Sequence, residues 1–245
     1  MTPLLHAELL KLRTTRTFIA LVGVTALTSL LIVVLVCLLT EPSEDSVLRD
    51  VYTVDTSSLF ILVLAVVGIT GEWRHRTIAG ALLAAPGRVR FLGAKTLAFA
   101  AAGVVLSVGV SATVAVVASV VLSVRDLPVP GLLDIAGQIG RNAAIAALLG
   151  ALGVAAGALV RQQVVALVGV LVLSFAIEPA VLALAPSVGR FGPFVALPGS
   201  IQGVPPEELG IGRGLEAGPA VFVMLAWIAA LWAAGAALLQ RRDVG

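Results

Sequence analysis

Charge, cysteine and histidine are all scarce in this chain. Only 12% of its 245 residues are charged, about half the fraction usual in soluble domains. The single cysteine, Cys37, excludes an internal disulfide and a cysteine metal cluster. The two histidines, His6 and His75, are far apart and no H-E-x-x-H string is present, so a zinc protease is not indicated. The composition therefore points away from a soluble domain and from thiol or zinc chemistry.

Long apolar runs fill most of the sequence, and its mean hydropathy is +1.09. A bilayer core about 30 Å thick needs about 20 apolar residues per helix. Runs of this length predict an all-α, polytopic membrane protein in which residues 1–245 form a single transmembrane domain. The predicted spans are about 17–39, 51–70, 97–121, 140–160, 164–185 and 218–239.

The sixteen Lys and Arg residues are unevenly distributed between alternate connections. Eleven lie in the N-terminal stretch, in residues 71–95, at Arg161 and at the C-terminus, and five lie in the other connections. The positive-inside rule then places both termini and residues 71–95 in the cytoplasm. Richness in Ala, Val, Gly and Arg favours a bacterial source, so the expected location is the bacterial inner (cytoplasmic) membrane.

Residues 71–95, GEWRHRTIAGALLAAPGRVRFLGAK, carry five of these cations. The stretch TIAGALLAAP predicts a short helix that ends near Ala85, followed by a turn at Pro86-Gly87. A short helix with flanking cations at a membrane surface suits the docking of another protein. A role in topology alone, with the cations paired to anionic headgroups, remains an open alternative.

The N-terminal stretch LLHAELLKLRTTRTF has two distinct helical faces. Leu5, Leu9 and Leu12 share one face, while Glu8 and Lys11 lie on another. This pattern predicts a helix over residues 1–16 that lies in the membrane interface and presents its polar face to the cytoplasm. An ordinary juxtamembrane anchor explains the same pattern equally well.

Together these segments resemble the ABC-2 type permeases, the membrane subunits of ATP-binding-cassette exporters. The resemblance rests on AELLKLRTTRTF before the first span, the 71–95 segment between the second and third, six spans with both ends inside, and RRDV at the close. It implies a coupling helix within residues 71–95 that rests on an ATPase subunit. The ATPase-coupling positions it implies are Glu72, Arg74, Arg76, Thr77, Pro86, Arg88, Arg90 and Lys95, and those of the interfacial helix are Glu8, Lys11 and Arg13.

The resemblance also implies partners and a mechanism. A dimer of permeases, formed with a second copy or a homologue, would work with two ATPase subunits in the lipid bilayer. ATP and magnesium would bind those partners, while this chain would hold no cofactor, catalyse no reaction and bind no nucleic acid. The string GRVRFLGAKT at 87–96 is not a P-loop, because five residues separate its glycines and Ala94 stands between Gly93 and Lys95.

Two features of the outer half also suggest a role in transport. Glu178 lies well inside the fifth span and is a candidate for the translocation path, although it also suits a wet outer end. Residues 186–217 contain five prolines and seven glycines. They predict re-entrant short helices before the last span, with an ordinary loop as the alternative.

The function expected from the sequence is therefore ATP-driven efflux of a hydrophobic or amphipathic substrate, such as a drug, lipid or peptide. Two other classes remain open: a secondary transporter driven by an ion gradient, and a membrane assembly protein that transports nothing. Association with an ATPase would separate the first class from both others.

Overall fold

A computed structural model describes residues 2–74, 87–160, 162–210 and 214–241 of the chain. Within these residues every regular element is a helix. In chain order the helices are α1 (Thr2–Thr14), α2 (Arg16–Leu39), α3 (Val47–Val51), α4 (Ser57–Arg74), α5 (Arg88–Val124), α6 (Leu132–Leu159), α7 (Gln163–Leu184), α8 (Pro186–Gly189), α9 (Ala196–Gln202) and α10 (Ala217–Arg241).

Six of these helices, α2, α4, α5, α6, α7 and α10, are long and apolar enough to cross a membrane. They coincide with the six predicted spans, so the prediction of an all-α chain with six candidate spans is confirmed. The second span begins at Ser57 instead of near residue 51. Its start follows from Asp55, whose carboxylate accepts a hydrogen bond from the Ser57 backbone N at 2.8 Å and so satisfies an amide that has no partner within the helix.

The connection between the second and third spans is shorter than predicted. Helix α4 continues to Arg74, and α5 already begins at Arg88. With 37 residues, α5 is about 55 Å long, which exceeds the roughly 30 Å thickness of a bilayer core. Arg88, Arg90 and Lys95 therefore lie on the first turns of a helix and not on a loop.

Several predictions fall outside the described part of the chain. The short helix predicted to end near Ala85 lies within residues 75–86, which also contain Arg76, Thr77 and Pro86. The side chain of Arg13 is likewise outside the described set. The coupling helix and these four positions stay predictions.

Helix α6 is the central helix of the bundle, and glycines let its neighbours approach closely. A Cβ atom on Gly150 would lie 2.7 Å from the carbonyl oxygen of Phe99 in α5, and one on Gly153 would lie 2.7 Å from that of Leu62 in α4. Only glycine leaves room for such backbone contact. The core forms where α4, α5 and α6 meet, around Ile61, Ala65, Ile69, Phe99, Ala146 and Val154.

Helix α7 continues past Pro179 by widening one turn. Proline has no amide hydrogen, and its ring would clash with the carbonyl four residues earlier, at Phe175. A π-helical turn over Leu173–Ile177 precedes the α-helical segment Glu178–Leu184. Such a turn inserts one extra residue into the helix, and the span can then proceed as a whole.

The bundle has two chemically different ends. The end formed by α1, Arg74, Arg88 and the last turns of α10 is called the basic end below, and the end formed by α3, α8 and α9 is called the opposite end. Two arginines tie the opposite end together. Arg125 at the end of α5 donates to the carbonyl of Cys37 in the last turn of α2 and to that of Thr40 directly after it. Arg49 pairs with Glu208 at 3.2 Å.

Candidate functional site

Four charged side chains from three helices meet at the basic end and are called the charge cluster: Glu8 and Lys11 of α1, Glu72 of α4 and Lys95 of α5. The Lys95 Nζ lies 2.8 Å from Glu8 Oε2 and 3.2 Å from Glu72 Oε1. Lys11 Nζ also donates to Glu72 Oε1. The cluster therefore joins the N-terminal helix to both ends of the segment that connects the second and third spans.

The center of the charge cluster is buried. The side chains of Lys95 and Glu72 are each 2% exposed and that of Glu8 is 13% exposed, whereas Lys11 is 56% exposed. The Lys95 ammonium has three hydrogens, and it has three acceptors, since the Gly68 carbonyl lies 3.4 Å away. Because the two lysines balance the two glutamates, the burial is tolerated through pairing.

Aromatic rings and local sequence pattern place these charges. The Lys95 Nζ lies 5.5 Å from the ring centroid of Phe91 and 6.0 Å from that of Phe99, close enough for a cation–π attraction. In α1, Glu8 and Lys11 are three residues apart and share a helical face. Leu12 packs against the core formed by α4, α5 and α6, and this contact turns that charged face toward Glu72 and Lys95.

A cavity of about 330 Å³ lies beside the charge cluster. Its walls combine the four charged side chains with apolar groups of α2 and α4. Phe18 and Gln163 complete the wall, so the space reaches from α1 to the start of α7. The cavity therefore separates part of α1 from α2, α4 and the start of α7.

The other predicted coupling residues occupy different positions at the basic end. Arg74 Nη1 donates to the Gln163 side chain at 3.2 Å, linking α4 to α7. Arg88 donates to the Leu239 carbonyl, linking the start of α5 to the end of α10. Arg90 is exposed. The predicted residues thus divide into an inward pair, Glu72 and Lys95, and cations nearer the surface.

The surroundings of Lys95 agree with the rejection of a P-loop. All three of its hydrogens have acceptors inside the protein, which leaves no donor for a phosphate. The string that resembled a P-loop is helical from Arg88 onward, whereas a phosphate-binding loop must expose successive backbone N–H groups.

Glu178 holds the outer segment in place. Its side chain is buried, and its oxygens accept hydrogen bonds from the backbone N atoms of Phe194, Val195 and Ala196 at 2.8, 2.7 and 3.0 Å. A carboxylate in this position satisfies the free amides at the start of α9. These contacts give Glu178 a structural role, and its place in a translocation path stays a prediction.

A second polar group, the half-buried Asp55, is held in a similar way. The Ser57 backbone N donates to one oxygen, and the hydroxyls of Ser107 and Ser111 donate to the other. The Ser111 hydroxyl receives a hydrogen bond from Asn142 Nδ2 at 3.1 Å. An amide nitrogen only donates, so Asn142 donates to Ser111 and Ser111 donates in turn to Asp55. The Asp55 carboxylate is the last acceptor of this chain of hydrogen bonds.

Asn142 connects this network to the opposite end, a link that sequence reasoning missed. Its Oδ1 accepts hydrogen bonds from the amides of Gln138 and Gln202 at 3.2 and 3.3 Å. The available signal was spacing, since Gln138 and Asn142 are uncharged polar residues four apart on one helix and therefore share one face. The partner Gln202 lies 60 residues away and had no such signal.

The chain was compared with protein-family models and with curated proteins. The chain matches no family model and no curated protein, so its function has to follow from the geometry and from the pattern of the sequence.

Proposed function

We propose that this chain is the membrane permease subunit of an ABC-2-like exporter. In this role it pairs with a second copy or a homologue and with two ATP-binding-cassette ATPase subunits in the bacterial inner membrane, with both termini in the cytoplasm. ATP hydrolysis by the partners drives efflux of a hydrophobic or amphipathic substrate. The observation that carries the proposal is the charge cluster, which brings together residues from two of the segments on which the family resemblance rests, the N-terminal stretch and residues 71–95.

The charge cluster suits the transfer of motion from a docked ATPase. Glu72 lies two residues before the end of α4 and Lys95 lies seven residues after the start of α5, so they flank the connecting segment on both sides. Both are bonded to α1. Removing one partner of a buried ion pair typically costs about 3–5 kcal/mol. Force applied to the connecting segment would therefore move α1, α4 and α5 together.

Two cations at the basic end are placed to contact a partner. Arg74 is exposed at the end of α4 and Arg90 is exposed on the first turns of α5. They flank the segment that the resemblance assigns to the coupling helix. Acidic groups on an ATPase surface would complement these two side chains without disturbing the buried pairs of the charge cluster.

The bonding of Asp55 and Glu178 weighs against the secondary-transporter alternative. Transport driven by an ion gradient needs a carboxylate that can exchange protons or ions within the spans. Asp55 and Glu178 each accept three hydrogen bonds from within the chain. Both are therefore built into the packing of helices and loops, as expected of a permease whose energy comes from a partner.

Co-expression with a candidate ATP-binding-cassette ATPase from the same genome tests the proposal. We expect the two proteins to purify together and to hydrolyse ATP, while the purified chain alone hydrolyses none above background. Replacing Arg74 and Arg90 by Gln should weaken association or coupled transport. Exposed ion pairs contribute about 0.2–1 kcal/mol each, so losing two costs about 0.4–2 kcal/mol and the expected loss is about two- to thirtyfold.

The matched control removes two arginines from the opposite end, Arg49 and Arg141, again by Gln. That variant should associate with the ATPase like the parent; association is the only readout of this control, because Arg49 ties the opposite end through Glu208. If the parent chain fails to bind the ATPase, or if it hydrolyses ATP alone and loses this activity in Lys95→Ala, the permease assignment is overturned.

A further inference from the structure

A second cavity, of about 510 Å³, runs along one face of α7. It is called the α7 groove below. Val165, Gly169, Leu173, Ile177 and Val181 line it at helical spacing. Trp227 and Leu231 of α10 form part of the facing wall, and the segment from α8 toward α9 closes the groove at the opposite end.

The groove is long. The 16 steps from Val165 to Val181 rise about 24 Å along the helix axis. Over this length none of the residues that α7 contributes at helical spacing has a polar side chain. This length and lining suit an extended hydrocarbon chain.

The walls of the groove offer almost no polar group to a ligand. Glu178 lines it, but its oxygens already accept the amide hydrogens of residues 194–196. Trp227 lines it too, and its Nε1 donates to the Phe191 carbonyl at 2.9 Å. A polar ligand would lose its hydrogen bonds to water here without replacement. A hydrocarbon chain has none to lose, and its burial is favourable.

Arg190 stands between two residues of the groove wall, Gly189 and Phe191, at the opposite end, and the described residues supply it with no counter-ion. The Arg190 guanidinium lies 4.7 Å from the ring centroid of Phe191, a residue of the groove wall. Its Nε is buried and has no hydrogen-bond partner among the described residues. A buried donor in this condition is uncommon and costly. Because guanidinium groups bind carboxylates and phosphates tightly, the missing partner has the chemistry of an anion.

We propose that the α7 groove binds an anionic single-chain amphiphile, with its hydrocarbon chain along α7 and its acidic head group on Arg190. This inference rests on the proposed exporter function and names its substrate class. The head group then lies at the opposite end, which the proposed topology places outside. The site accordingly suits an amphiphile that is passing into the outer leaflet.

Tryptophan quenching by a brominated fatty acid tests the site directly on the chain alone. Trp73→Phe and Trp232→Phe leave Trp227 as the only tryptophan, because the chain has three. In detergent micelles, 9,10-dibromostearate should quench Trp227 fluorescence saturably, since bromine quenches only on close approach. Unbrominated stearate should restore the fluorescence by competition.

Two glycine variants separate the groove from the general apolar surface. A Cβ atom at Gly169 would meet nothing within 4 Å, and the same holds for Gly109 on an exposed part of α5. Gly169→Leu places a side chain in the groove and should weaken stearate binding about tenfold or more, by removing apolar contact area. Gly109→Leu makes the same chemical change elsewhere and should leave binding unchanged.

The head-group contact is tested by Arg190→Gln. This variant should bind dibromostearate about tenfold more weakly, because it lacks a charge-assisted hydrogen bond. The methyl ester of dibromostearate should bind the parent and the variant equally weakly. Circular dichroism and gel filtration establish that each variant is folded. If quenching never saturates, if Gly169→Leu binds like the parent, or if acid and ester bind the parent equally, the proposal is overturned.

Further results distinguish a failure of this proposal from a failure of the proposed exporter function. Vesicles of dibromo-phosphatidylcholine that quench Trp227 with no competition from stearate would assign the groove to bilayer lipid and overturn the substrate class. Loss of amphiphile binding with the ATPase complex intact would overturn the substrate class alone. Intact binding in a chain that never associates with an ATPase would overturn the exporter assignment alone.

Discussion

At the residue scale, burial decides what a charged side chain does in this protein. Lys95 and Glu72 look like surface residues beside a membrane span, and the sequence alone allows them to face a partner. In the structure both are 2% exposed and bonded to each other and to α1. Their first role is to hold three helices together, so any effect of mutating them on an ATPase would act through that packing.

Replacing Lys95 by Met should destabilise the protein strongly. The change keeps the volume of the side chain but leaves Glu8 and Glu72 buried without their shared counter-ion, and loss of one partner from a buried pair costs about 3–5 kcal/mol. Thermal unfolding in detergent, followed by intrinsic fluorescence, measures the effect. Neutralising the cluster with Glu8→Gln and Glu72→Gln in the same chain should recover part of the loss.

Lys11→Met is the matched control for this prediction. Lys11 bonds to the same Glu72 carboxylate, yet it is 56% exposed, and exposed pairs contribute only about 0–1 kcal/mol. Equal melting temperatures for Lys95→Met and the parent chain would contradict the structural role of the charge cluster.

At the element scale, α6 organises the bundle because its glycine face lets α4 and α5 approach at backbone distance. The long apolar run of the sequence predicted a span here, but it did not show which face would be central. The glycines at positions 150, 153 and 157 repeat every three or four residues and mark that face. At Gly137 and Gly140 of the same helix, an added Cβ atom would have no neighbour within 4 Å.

Gly153→Ala should destabilise the bundle although alanine favours helix formation. Its Cβ would lie 2.7 Å from the Leu62 carbonyl oxygen and 2.8 Å from the Ala65 Cβ, so α4 would have to move outward. Overpacking of this kind typically costs about 1–3 kcal/mol. The melting temperature in detergent should fall accordingly.

Gly137→Ala provides the comparison within α6. A Cβ at that position would meet nothing within 4 Å, so the helix propensity of alanine should act alone and raise stability by about 0.5–1 kcal/mol. Opposite signs for the two variants are expected, and a stabilising Gly153→Ala would show that α4 and α6 are not packed this closely.

At the scale of the whole molecule, the two ends of the bundle differ in charge and in construction. The basic end is tied by the charge cluster and by Arg88, and the opposite end by Arg125, Arg49 and Glu178. A permease that alternates between two openings needs such ties at both ends, because each opening requires one set to loosen while the other holds. The proposed orientation places the basic end in the cytoplasm.

Cysteine labelling in intact cells tests this orientation. In a background with Cys37→Ala, which removes the one native thiol, Ser43→Cys should react with an impermeant maleimide added from outside. Gly87→Cys should react only after the cells are opened. Ser43 is exposed after α2 at the opposite end and Gly87 directly precedes α5 at the basic end. The reverse pattern of labelling would place the charge cluster outside and overturn the ATPase-coupling proposal.

Sequence alone determined the number of spans, their approximate bounds and the uneven distribution of cations between the two ends. These properties depend only on the hydropathy and charge of residues that are close together in the sequence. About 20 apolar residues in succession leave few alternatives to a spanning helix. Boundaries were less predictable, as the start of α4 after Asp55 and the early start of α5 at Arg88 show.

Only the tertiary structure decided which residues meet. Glu8 and Lys95 are 87 residues apart and Asn142 and Gln202 are 60 apart, and periodicity within one helix carries no information about the rotation of another. The α7 groove likewise exists only because α7, α10 and the segment after α8 leave a gap between them. Pairing, burial and empty space depend on how helices pack, and packing is a property of the whole bundle.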